Sequence, residues 1–278
     1  MKLLKSHGLG NDYLVLHEGT LSGRALVRAL CHRHTGPGGD GVLTEGPAGD
    51  CDYGLRIFNP DGSEAEKSGN GIRIYAQYLV DHCGAPSEFS LNTLGGVVRC
   101  QVAPDQVSVQ MGRASFRPAD VPVDLEVEEA IEQQISAAGE DFTFTAVGVG
   151  NPHCVVFRDE ALLDATRWRR WGPILECHPL FPRRTNVQFV QVRGPQQLEL
   201  RIWERGAGET SASGSSSCAA AAAAVRTGRC QPGEITLHMP GGVLKVRVDP
   251  DWSLLLRGPV QEVGWFSPSA AWLAAISA

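Results

Sequence analysis

The chain has 278 residues, 42% hydrophobic and 20% charged, enough to bury the core of two domains or of one large one, and its formal charge of −6 argues against nucleic acid or an anionic membrane as partner. Its eight cysteines contain no C-x-x-C pair, which speaks against a zinc site or a thioredoxin-like motif. Met1–His7 turns polar too early for a signal peptide, and the alanine block 219–224 is far shorter than the roughly 20 residues of a membrane span, so a reduced, cytoplasmic chain is expected. In chain order, alternating or apolar runs predict strands at Tyr13–Leu16, Gly96–Val102, Gln106–Met111, Val155–Phe157, Asn186–Val192, Leu198–Trp203 and Leu244–Val248. Helices are predicted over 22–34, 70–83, 127–138, 160–171 and 215–227, the last because alanine is the best helix former. The pattern is mixed α and β with few βαβ units.

An internal repeat organises these elements. Leu55-Arg56-Ile57-Phe58 is echoed 145 residues on by Leu200-Arg201-Ile202-Trp203, and the same offset aligns Glu64 with Glu209, Ser68 with Ser213 and Gly69 with Gly214. A second echo, Gly8-Leu9-Gly10-Asn11 against Gly148-Val149-Gly150-Asn151, is offset by 140, a loop-length difference from the first. Two echoes in the same order predict two similar halves.

In each half a polar, glycine-containing turn leads from a strand into a helix, at 61–71 and 206–216. Glycines let a ligand approach the backbone, and a helix N-terminus offers unpaired N–H groups to an anion. Read singly, Ser68 and Ser213 are ordinary N-caps; their duplication points instead to paired anion-holding turns. Neither turn fits a phosphate-binding motif, so a nucleotide is not expected. The polar set Asn11, Asn59, Asn70, Asn151, Asn186, His153, Glu204 and Arg205 suits a small zwitterion, with amides for an ammonium group and carboxylates and Arg for a distal charge.

Several strings carry a resemblance: Gly8-Leu9-Gly10-Asn11-Asp12-Tyr13; Phe58-Asn59 with Asp61-Gly62-Ser63-Glu64; Gly69-Asn70-Gly71-Ile72-Arg73; Gly150-Asn151-Pro152-His153; His178-Pro179-Leu180-Phe181-Pro182; and Trp203-Glu204-Arg205-Gly206-Ala207-Gly208-Glu209-Thr210. Together they resemble the diaminopimelate epimerases over most of the chain. The resemblance implies an α+β fold of two pseudo-symmetric halves, each a small, mostly antiparallel β-barrel around a central helix. The halves would span 1–120 and 121–278, with the segment from about 260 packing back onto the first. It also implies a cofactor-independent isomerase of lysine biosynthesis with no metal, acting on an amino acid held between the halves. A homodimer is compatible with it. The residues carried over are Asn11, Asn59, Asn151, Asn186, Glu204 and Arg205 as ligand groups, and the N–H groups of Gly69-Asn70 and Gly214-Ser215 for the α-carboxylate. Ser68 and Ser213 take the acid/base positions, with His153 and Glu204 as their supports. Gly41 stands where some relatives carry a side-chain amide.

In the family a cysteine at each turn does the chemistry, one thiolate removing the α-proton while the opposite thiol supplies another. Here both are serine, a weak base unless a neighbour activates it. Cys218 and Cys154 are expected in the core rather than as replacements. Three substitutes remain open: a serine activated by His153 or Glu204, Lys67 as base, or a substrate with a more acidic proton. So do two further readings, a proton-shifting isomerase acting on another amino acid or unsaturated acid, and a catalytically silent amino-acid-binding paralogue.

Overall fold

The computed structural model describes residues 1–158 and 165–277. The chain divides into unit 1, which joins Met1–Val109 to Gly258–Ala278, and unit 2, the continuous stretch Gln110–Arg257. The first boundary therefore falls ahead of the expected residue 120. Unit 1 begins with β1 (Lys2–Gly8), β2 (Asn11–Glu18), α1 (Arg24–Cys31), β3 (Val42–Glu45), β4 (Tyr53–Phe58), β5 (Glu64–Ala65), α2 (Gly69–Cys83), β6 (Glu88–Thr93), β7 (Gly96–Ala103) and β8 (Gln106–Arg113). Unit 2 contains β9 (Gln133–Ala137), β10 (Glu140–Gly148), β11 (Pro152–Phe157), α3 (Ala165–Glu176), β12 (Asn186–Gly194), β13 (Gln197–Glu204), β14 (Gly208–Thr210), α4 (Gly214–Arg226), β15 (Gly233–Met239), β16 (Gly242–Val248) and β17 (Ser253–Gly258). The chain then returns to unit 1 with β18 (Gln261–Phe266) and α5 (Ala270–Ser277).

In unit 1, β18 pairs antiparallel with β1, β1 with β2, β3 with β4, β6 with β7 and β7 with β8, while β2–β3 and β4–β6 are parallel. Unit 2 repeats this step for step: β9–β10, β10–β11, β12–β13, β15–β16 and β16–β17 are antiparallel, β11–β12 and β13–β15 parallel. The duplication read from two short echoes is thus a duplication of topology, in which the C-terminal β18 stands where β9 stands in unit 2. Each sheet curls around its own helix. α2 packs on β1, β2, β4 and β7, and α4 on β10 through β13, β15 and β16.

The two central helices are built differently. α2 buries Ile72, Ile74, Tyr75 and Leu79, whereas α4 buries the alanines 219–224; Phe144 and Phe189 belong to a separate unit 2 core with Trp168 and Trp171 of α3. Unit 1's second core gathers Leu3, Leu14, Leu26, Val27 and Leu30, with Phe266 and Trp272 from the returning segment.

All seven expected strands fall within observed ones. Of the helices, 22–34 contracts to α1, and 70–83 and 215–227 match α2 and α4 to within a residue. The helix expected over 160–171 begins outside the described residues, and its described part, α3, runs on to Glu176 through Pro173. The helix expected over 127–138 is absent. Ala138 and Gly139 both adopt positive φ, 54° and 79°, making the tight turn that pairs β9 with β10.

Candidate active site

Two hairpins and two helix starts place the polar residues. Between β1 and β2, Leu9 and Gly10 turn the chain at φ 58° and 89°, so that Asn11 is the first residue off the turn. In unit 2, Val149-Gly150 joins β10 to β11 and presents Asn151 likewise. Ser68 caps α2 in extended conformation, its Oγ accepting the Gly71 N–H at 3.1 Å and lying 3.0 Å from the Tyr13 hydroxyl. Ser213 caps α4 with the same backbone geometry, but its hydroxyl has no hydrogen-bond partner among the described residues.

In unit 1 a chain of hydrogen bonds fixes the amides. The fully buried Arg73 donates to Asn70 Oδ1 at 2.8 Å, Asn70 Nδ2 to Asn11 Oδ1 at 2.9 Å, and Asn11 Nδ2 to Asp40 Oδ2 at 2.8 Å. A guanidinium can only donate and a carboxylate only accept, so the two ends dictate how both amides point. Asp40 is held in turn by Arg33, which also binds Asp12. Burial works against the Asp12 carboxylate, but Arg33 and Lys5 outweigh it and hold its pKa below the ordinary value.

In unit 2 the fixing element is His153, fully buried on β11. Its Nε2 lies 2.8 Å from Asn151 Oδ1 and its Nδ1 lies 3.0 Å from Gln188 Nε2, which also donates to Ser216 Oγ at 3.0 Å. Burial pushes the imidazole down to about 3, with Arg205 adding to the shift. The ring is therefore neutral, with its proton on Nε2 facing Asn151. The opposite tautomer would strand the Gln188 amide N–H groups, a costlier loss than its one unpaired carbonyl oxygen. His153 thus orients Asn151 and has no lone pair to spare for a serine. In both halves the Asn oxygen is taken by the protein, so Asn11 and Asn151 offer N–H donors.

Glu204 and Arg205 lie where β13 ends. Asn186 Oδ1 accepts the Arg205 N–H at 3.0 Å and its Nδ2 donates to Pro152 O, so both polar ends of Asn186 bond backbone. Glu176 accepts from the Gly206 N–H at 2.9 Å and from Trp203 Nε1 at 2.8 Å, bracing the same turn. Asn59, the counterpart of Glu204 under the 145-residue offset, donates to Ser63 Oγ at 3.0 Å in the turn between β4 and β5. Gly41 corresponds to Asn186, and there only glycine fits: a Cβ would lie 2.5 Å from Phe58 O and 2.6 Å from the Tyr13 ring. Gly69-Asn70 and Gly214-Ser215 form the first turns of α2 and α4, where N–H groups lack intrahelical acceptors. Lys67 is half-buried, next in chain to Ser68. Cys154 and Cys218 are both fully buried, and burial raises the Cys154 thiol far above its usual range.

Tyr13, Asp40, Arg73, Glu176 and Gln188 were not singled out from sequence. Tyr13 had a signal: extending the second echo by two residues aligns it with His153.

The architecture assigns the fold class first. A hydroxyproline epimerase from Agrobacterium vitis superposes with a TM-score of 0.70 at 18% identity, covering 100% of this chain and 98% of that one. A PhzF-family phenazine biosynthesis protein from Bacillus anthracis gives 0.68 at 14%, covering 97% and 99%. The chain belongs to the diaminopimelate epimerase family, whose model matches residues 3–117 and 145–263. Diaminopimelate epimerase 2 of Nostoc sp. is 44% identical over 272 residues, 95% of this chain and 94% of its own length. The diaminopimelate epimerase of Desulfitobacterium hafniense is 40% identical over 277 residues, covering 95% and 96%. The protein is accordingly an isomerase by family. Among the described residues no helix is long and apolar enough to cross a membrane.

Proposed function

We propose that this chain binds a diaminopimelate-type amino acid and does not run proton transfer between two thiols. The observation that carries the reading is the identity of the two helix caps, Ser68 and Ser213, where the family resemblance implies cysteines. A thiol near pKa 8.5 is readily brought into working range by a helix N-terminus, whereas a hydroxyl needs an adjacent base. The surroundings supply little activation. Ser68 Oγ accepts from Gly71 N–H, and His153, expected as a support for the serines, is neutral with both ring nitrogens engaged. The buried Cys154 and Cys218 are poor replacements.

Binding needs neither thiol. On this reading the first-turn N–H groups of Gly69-Asn70 and Gly214-Ser215 take the α-carboxylate, the Asn11 and Asn151 amides donate to ligand oxygens, Glu204 pairs with an ammonium group and Arg205 with the distal carboxylate. Asn186 supports Arg205 through its backbone, Asn59 lines the counterpart turn, and Ser213 Oγ donates to the ligand. The α-proton then stays in place.

Incubating the protein with LL- and meso-diaminopimelate in D₂O and following the α-protons by NMR tests this. Saturable binding without exchange is expected, and the double variant Ser68→Cys/Ser213→Cys is expected to acquire epimerisation. Exchange at an enzymatic rate in the wild type would overturn the silent site, and its loss in Lys67→Met would assign the proton transfer to lysine. Failure of both isomers to bind would overturn the ligand class.

A further inference from the structure

We propose that a cavity in unit 1, separate from the serine turns, binds a small organic cation: a guanidinium or primary ammonium group on an apolar stem. The cavity holds about 330 Å³, within the size range of small-molecule sites. It lies against residues 74–82 of α2, roughly 9–21 Å along the helix from Ser68 at 1.5 Å per residue.

Three features define its chemistry. Leu4 and Ile74 give it an apolar floor, Tyr78 an aromatic wall, and Asp81, Asp105 and Glu262 an acidic rim. Among the described residues neither Asp81 nor Asp105 has an ion-pair partner; Gln77 donates to both oxygens of Asp81, and His82 contacts Glu262 at 2.8 Å. Ser6, only 3% exposed, also lines the cavity, and its hydroxyl has no hydrogen-bond partner in the described protein. A buried hydroxyl opening into a cavity is satisfied by what fills it. The C-terminal half of α2 adds the negative end of the helix dipole.

The duplication supplies an independent argument. Under the 145-residue offset Asp81 corresponds to Arg226, the last residue of α4. Arg226 pairs with Glu129, on the approach to β9, and lies over the Phe116 ring with 6.0 Å to its centroid. In unit 2 the chain's own guanidinium thus occupies this place. In unit 1 the helix carries a carboxylate there, a carboxylate and an aromatic ring remain as neighbours, and the volume is open. A cation from solution completes the arrangement that Arg226 completes internally.

Calorimetric titration of the full chain with agmatine, 1,5-diaminopentane and neutral 1,5-pentanediol tests the proposal. Saturable binding of at least one cation and none of the diol is expected. Tighter agmatine binding would mark a guanidinium seat and tighter diamine binding an ammonium seat. Asp81→Arg is expected to abolish binding, Glu262→Gln to weaken it about tenfold, and Asn11→Ala to leave it unchanged. Absence of saturation by either cation up to about 10 mM would overturn the proposal, as would binding that survives both cavity variants. Loss of binding in Asn11→Ala alone would assign the cation to the serine turns instead. Because none of these readouts uses diaminopimelate, the result is independent of the proposed function.

Discussion

His153 shows how one residue can be conspicuous in sequence and take a different part in the structure. Beside two serines it reads as a proton acceptor. Buried between Asn151 and Gln188, it serves to aim an amide. Its depressed pKa has a thermodynamic consequence. Between the ordinary 6.5 and about 3, the unfolded chain binds a proton that the folded chain refuses. Stability from this residue is therefore intact above pH 6.5 and is lost as pH falls, by up to about 1.4 kcal/mol per pH unit. In urea unfolding, wild type is expected to lose about 2 kcal/mol more than His153→Asn between pH 7 and pH 5. Gln188 sets the ring's tautomer. Gln188→Glu replaces a donor with an acceptor and is expected to move the proton to Nδ1, read from the imidazole ¹⁵N shifts; an unchanged tautomer would show that Gln188 does not direct it. Neither role could be read from sequence, because both depend on the register that sets His153 beside Asn186 across the parallel β11–β12 pair.

At the scale of elements, local chemistry was legible where a single signal dominated. The alanines of α4 and the glycine turns bounding α2 were enough to locate both helices. The segment 127–138 misled because its glutamates favour helix, while the Ala138-Gly139 turn and the alternation of Ile135 and Ala137 against Phe142 and Phe144 pair it as a strand. The two serine caps, identical in sequence, are unequal in structure. Ser68→Ala removes a cap bond and is expected to cost about 1 kcal/mol, whereas Ser213→Ala, losing no bond within the protein, is expected to be close to neutral in the same denaturation assay. Equal costs would contradict the cap asymmetry. Enlarging the alanine face tests the packing of α4: Ala222 is fully buried, and Ala222→Leu is expected to destabilise by about 1–3 kcal/mol or more.

At the scale of the molecule, the duplication was readable from short echoes, but the way unit 1 is completed was not. The pairing of β18 with β1 joins residues more than two hundred positions apart, and β18 itself, exposed over most of its length, has little hydrophobic pattern. Removing everything after Arg257 strips β1 of this partner and the unit 1 core of Phe266 and Trp272. Limited proteolysis of that truncated chain is expected to degrade the N-terminal segment while sparing 110–257; equal resistance of both would show β18 to be dispensable.

The same discontinuity inverts the usual order of events on the ribosome. Domains generally fold as they emerge, N-terminal first, with synthesis at roughly 5–20 residues per second. Here the unit begun first is finished last. Unit 2 can close as soon as β17 clears the exit tunnel, while β1 waits for β18 with its edge unpaired, the kind of edge that recruits stray strands. The wait, from the end of the first segment to the arrival of β18, spans the synthesis of the whole of unit 2 and lasts on the order of ten seconds.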